Sequence, residues 1–107
     1  MVITVEEAAP ADDYTITISG YDDIYKGDTE TYTATIYNNG LPSDEHVTFA
    51  VFADDKTSPV ANVSIVSQNG TSANIKSEAS SGYMQLKATL NIDSNVFAWK
   101  RIRLRNF

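Results

Sequence analysis

The sequence predicts an all-β sandwich of about seven antiparallel strands, and three observations predict it. Apolar residues recur at every second position in run after run, the period of a strand with one buried face. Turn residues separate the runs at short, regular intervals. No segment carries apolar residues at helical spacing over a useful length. The chain is rich in Thr, Ser, Val, Ile and Tyr, residues that suit a pleated, half-buried surface.

Residues 2–5 have a short strand-like pattern, and residues 6–13, Glu-Glu-Ala-Ala-Pro-Ala-Asp-Asp, form a polar linker or extension. The folded domain is therefore expected over residues 14–107. In the first strand Tyr14, Ile16 and Ile18 alternate with Thr15, Thr17 and Ser19. Lys26-Gly27-Asp28 turns into a second strand over 29–38, where Tyr32, Ala34 and Ile36 share a face. Asn39-Gly40 follows, a pair that tolerates positive φ and closes tight turns. The third strand, 46–53, sets Val47, Phe49 and Val51 on one side. Short strands at 62–67 and 71–77 flank Gln68-Asn69-Gly70, a second hairpin signal. In residues 82–91 Met84, Leu86, Ala88 and Leu90 alternate with Gln85, Lys87 and Thr89, and 96–105 is the last strand. The expected core is Ile16, Ile18, Tyr32, Ile36, Phe49, Val51, Leu86, Ala88 and Leu90.

With 107 residues the chain is one domain by length. It has no cysteine, hence no disulfide and no thiolate metal site. No apolar run approaches the ~20 residues that cross a bilayer, so no membrane partner is expected. The opening residues lack the basic and apolar regions of a secretory leader. That leaves a protein cytoplasmic when made, or a piece of a longer chain. A net charge of −6 argues against nucleic acid. The charge is divided unevenly. Residues 1–55 hold twelve acids and one base, Lys26, whereas residues 56–107 hold two acids, Glu78 and Asp93, and seven bases.

Four stretches resemble the bacterial immunoglobulin-like domains of the group-2 type, as found in tailed-bacteriophage structural proteins. They are IYKGDTETYTA (24–34), VTFAV (47–51), GTSANI with GYMQLKAT (70–75 and 82–89), and KRIRL (100–104). The third strand departs from the pattern, with Phe49 where Trp is usual. Together the stretches span about residues 14–105. The resemblance implies an immunoglobulin-like Greek-key sandwich, non-enzymatic, serving as a binding or spacer module in a larger protein. The expected setting is the C-terminal domain of a virion capsid or tail protein, with Phe107 as a natural end. The alternative is a bacterial cell-surface spacer or adhesion domain. The missing cysteines exclude an antibody-type domain.

The residues offer little catalytic chemistry. The one histidine, His46, stands at a strand end, and no nucleophile elbow, phosphate loop or dinucleotide fingerprint is present. No cofactor is implied. Paired acids recur at 12–13, 22–23, 44–45 and 54–55. Asp22, Asp23 and Asp28 could converge on a calcium ion, but the spacing of a dedicated calcium loop is missing. Solvated turn acids are the plainer reading.

The candidate binding surface is aromatic and basic. The third, sixth and seventh predicted strands share a sheet in a seven-strand sandwich, and parity puts Phe52 and Tyr83 on its outer face. Phe97 and Trp99 join them beside Arg101 and Arg103 if the last strand alternates strictly. Strict alternation also turns Lys100 inward, at a desolvation cost. A β-bulge would instead send Phe97 and Trp99 into the core. Both placements stand open on the sequence. Partners consistent with the patch are other virion proteins or an anionic bacterial cell-surface polymer. The charge asymmetry adds a further expectation: copies that stack head to tail within an assembly. A solvated, charge-protected edge strand is the alternative reading of the same basic stripe.

Overall fold

A computed structural model describes residues 12–106. The expected linker over residues 6–13 therefore lies almost wholly outside the described residues, as does Phe107. Nine strands follow in order: β1 (Tyr14–Ser19), β2 (Asp23–Tyr25), β3 (Thr29–Asn38), β4 (Leu41–Pro42), β5 (Val47–Ala53), β6 (Val63–Gln68), β7 (Ser72–Ser77), β8 (Gly82–Leu90) and β9 (Phe97–Arg105). All seven predicted strands are present. The two additional strands, β2 and β4, are too short to show a period.

One sheet runs β1-β3-β7-β6, with β4 pairing the far end of β3, and the other runs β2-β9-β8-β5. This is the strand order of an immunoglobulin-like sandwich, with Greek-key connections passing between the sheets. The pairings are antiparallel except that of β2 with β9, which is parallel. β2 exists because the first strand changes sheets: β1 pairs with β3, the chain crosses at residues 20–22, and β2 then joins β9.

The crossing depends on two residues. Gly20 has φ +148°, and a Cβ there would run into the Tyr32 ring, with Cε1 2.7 Å away. The buried Tyr32 hydroxyl donates to the Tyr21 carbonyl at 2.7 Å, satisfying a backbone acceptor that the sheet change leaves without a ladder partner. Burial raises the Tyr32 phenol above its ordinary pKa, and nearby Glu30, Asp22 and Asp23 add to the effect.

The core lies between the sheets. Tyr32, Ala34, Ile36, Ala73 and Ile75 face Ile24, Val47, Phe49, Met84, Leu86, Ala88, Leu90, Ile102 and Leu104. Ile16, Ile18 and Val51, expected at its centre, instead pack against it half-buried. Asn39-Gly40 makes the expected tight turn with φ +53° and +81°. Asn69-Gly70 turns by another route. The Asn69 carboxamide oxygen accepts from the Thr71 and Ser72 amides, and Gly70 is required because the exposed His46 ring lies against its Cα.

Two edges of the sandwich, β5 and β6, are blunted. The Gln68 carboxamide accepts from Phe49 N–H at 2.9 Å and donates to Phe49 C=O at 3.3 Å, standing in for a neighbouring strand. Val47 and Ala53 amides on the same edge bond to the Gly70 and Ser58 carbonyls. On the β6 edge a register shift between Ile65 and Ser67 breaks the ladder. Such devices block pairing with another chain.

Candidate functional site

The β8–β9 register is unbroken from Gly82↔Leu104 to Thr89↔Phe97. No bulge intervenes, so Phe97, Trp99, Arg101 and Arg103 share the outer face with Tyr83, Gln85, Lys87 and Thr89. Register with β5 adds Phe52, opposite Gln85. All six residues singled out from the sequence (Phe52, Tyr83, Phe97, Trp99, Arg101 and Arg103) therefore lie on one face of one sheet. Of the two placements left open for Phe97 and Trp99, the structure takes the outward one.

Lys100 shows how strict alternation is tolerated. Its stem turns inward, where the side chain is 17% exposed, and its ammonium emerges at the sandwich margin to meet Asp22 at 2.7 Å. The apolar stem is buried while the charge stays solvated and paired. The Lys100 ammonium, first by hydrogen bond and then by charge, holds the Asp22 carboxyl below its ordinary pKa.

The face is built along β9. At one end Trp99 takes Phe52 edge-on at 5.6 Å between centroids and Phe97 at 6.4 Å, both in the tilted geometry that aromatic quadrupoles favour. Two ammonium groups converge on these rings. Lys87, directly opposite Trp99 in register, stands 5.2 Å from the Trp99 centroid and 4.5 Å from that of Phe97. Lys56, from the loop after β5, stands 5.3 Å from the Trp99 centroid. Sequence parity did not find Lys56, because a loop residue has no periodic signal. Its local signal is the Asp55-Lys-Thr-Ser turn. The Asp55 carboxylate accepts from the Thr57 and Ser58 amides, and Lys56 is held at φ +65°. The Ser58 and Thr57 bonds lower the Asp55 pKa.

In the middle, Arg101 lies flat on Tyr83, its guanidinium carbon 3.8 Å from the ring centroid. It grips Asp54 through Nε and Nη2, each at 3.0 Å, and the Gln85 amide donates to the same carboxylate at 2.9 Å. Arg101 and then Gln85 hold the Asp54 carboxyl below its ordinary pKa. This bidentate clamp fixes both side chains and neutralises the centre of the face. At the far end Tyr83, Arg103 and Arg105 border a cleft of about 330 Å³ that Ser80, Ser81 and Asn106 also line. Arg105 pairs with Asp23 at 3.4 Å and approaches the Tyr25 ring, whereas Arg103 has no carboxylate partner among the described residues.

The other candidates do not assemble. Asp22 and Asp23 each face a different cation, and no cluster of three or more His, Cys, Asp or Glu residues able to hold a metal occurs among the described residues. His46 is exposed at the start of β5, with its ring over Gly70. Three of the four basic residues near the end of β9 are bound by acids of the chain's first half: Lys100 by Asp22, Arg101 by Asp54 and Arg105 by Asp23. Three of the charge pairs that the two halves offer are thus made inside one molecule.

No family model and no curated protein matches the chain. Among solved structures, a cohesin module from a Clostridium perfringens family 33 glycoside hydrolase is similar at 13% identity and a TM-score of 0.45, over 90% of this chain and 99% of that one.

Proposed function

We propose that the chain is a non-catalytic binding module whose working surface is the outer face of β5, β8 and β9. The observation that carries this reading is the Trp99 cluster. Three aromatic rings and two ammonium groups stand on the solvent side of a sheet whose other face already supplies the core. Exposed aromatic and basic side chains in a fixed arrangement are the composition of a contact surface. Folding does not require them there. Phe97 remains 47% and Tyr83 43% exposed. The resemblance of residues 14–105 to group-2 immunoglobulin-like domains supports the setting, an appendage of a larger bacteriophage virion protein. Other virion proteins and bacterial cell-surface polymers are the partners such a setting offers.

The test is a titration of Trp99 fluorescence with purified bacterial envelopes, combined with co-sedimentation. A saturable spectral shift with retention in the pellet is expected; retention should be lost in Trp99→Leu, which removes the sole tryptophan, and both signals should weaken in Arg101→Ala. Equal retention of wild type and Trp99→Leu would overturn the assignment of this face.

A further inference from the structure

Resting on that reading, we infer that the ligand of this face is a linear glycan whose acidic groups are widely spaced, gripped at two cationic stations. The first station is Lys56 and Lys87 at the Trp99 ring. Neither ammonium has a carboxylate partner among the described residues, although the chain as a whole is acid-rich. The second is Arg103 at the cleft with Ser80 and Ser81. Trp99 and Arg103 are four residues apart on one strand, so the stations are separated by about 13 Å. Between them the Arg101–Asp54 clamp is internally neutral and presents Tyr83 and the clamp itself rather than a free cation.

That charge order selects among polyanions. A polymer with an anion on every unit, such as nucleic acid or polyglutamate, would place charge over the clamp, where no free cation meets it. A chain with acids only at intervals places them at the two stations and a neutral unit between. A sugar unit also matches the surface chemistry. The apolar C–H face of a pyranose suits Trp99 and Tyr83, and its hydroxyls suit Thr89 and the serine-lined cleft. The face is a poor fit for a folded protein. Its exposed large apolar side chains do not adjoin, Phe97 standing in the Trp99 cluster and Tyr83 under Arg101, whereas protein interfaces bury a continuous apolar centre.

The position of Lys56 adds an independent argument. A lysine in the left-handed region is strained, and glycine would relieve the strain. The structure keeps a side chain there whose ammonium reaches Trp99.

The test uses hyaluronan oligosaccharides, in which acidic and neutral sugars alternate, against dextran, polyglutamate and single-stranded DNA. Binding is read by Trp99 fluorescence and calorimetry. Hyaluronan is expected to bind saturably, and Lys56→Gly, Lys87→Gln and Arg103→Gln should each weaken it by about tenfold, with steep salt dependence. Dextran, polyglutamate and DNA should bind at least tenfold more weakly. Lys56→Gly keeps the fold intact by relieving strain, so undiminished hyaluronan affinity in that variant would overturn the inference. Equal binding of dextran, polyglutamate or DNA would also overturn it. Failure of hyaluronan while Trp99→Leu still abolishes envelope retention would remove the glycan assignment alone and leave the binding face standing.

Discussion

Gly20 and Tyr32 act as a matched pair, and each carries a prediction. Gly20→Ala places a methyl group on the Tyr32 ring in a backbone region that side chains rarely adopt. It should destabilise the domain by about 2–4 kcal/mol, read as a lowered denaturant midpoint. Tyr32→Phe removes one buried hydrogen bond and should cost about 1–2 kcal/mol. The same phenol sets an alkaline limit. Its folded pKa is raised, so its contribution is intact below the unfolded value of 10.0 and is lost as pH rises beyond it. Unfolding followed above pH 10 should steepen in wild type and flatten in Tyr32→Phe. Lys56 behaves in the opposite sense. Lys56→Gly should raise stability by about 1 kcal/mol while weakening ligand, the sign expected of a residue kept for binding. None of these roles is visible in a periodic pattern. Gly20 reads as an ordinary turn residue until the Tyr32 ring is placed against it.

At the scale of the element, β9 shows where sequence reasoning was sufficient and where it divided. Alternation located the strand, and the structure buries Ile102 and Leu104 on its inner face. It left Phe97 and Trp99 undecided, because an inward lysine seemed too costly. The missing term was Asp22, 78 residues away and brought to the sandwich margin by the sheet change after β1. Long-range pairing of this kind has no local signature. Lys100→Met should therefore be tolerated within about 1 kcal/mol, since the apolar stem provides most of the packing and an exposed ion pair contributes little. A fall of several kcal/mol in thermal or chemical denaturation would contradict this account. The β5–β8–β9 face also has an acid limit. The Asp54 pKa is lowered in the fold, so the Arg101 clamp is fully formed above the ordinary carboxylate value of 3.8 and is lost as pH drops below it. Domain stability should fall in that window in chemical denaturation, and the fall should be shallower in Asp54→Asn.

For the whole molecule, the uneven charge along the chain is compensated in part by the fold. First-half acids bind last-strand bases at Asp22–Lys100, Asp23–Arg105 and Asp54–Arg101. With the β5 edge capped by Gln68 and the β6 edge broken by its register shift, the isolated domain should sediment as a monomer at both low and high salt. Dimers that dissolve on adding salt would restore the stacking expectation. The sandwich itself was legible because two-residue periodicity is a local property repeated seven times. The short strands β2 and β4 were not, because they are defined by what they pair with.

The parallel seam between β2 and β9 has a mechanical meaning. Both strands run in the same direction, one near the start of the domain and the other at its end. A pull on the two ends of the domain therefore slides the strands along each other. It loads Arg103 N–H to Asp22 C=O, Lys26 N–H to Arg105 C=O and the ladder between them in parallel, with the Asp22–Lys100 and Asp23–Arg105 ion pairs across the same line. Bonds sheared together must break together, whereas bonds unzipped yield one at a time. A domain loaded through its two ends is thereby clamped along the line that carries the load.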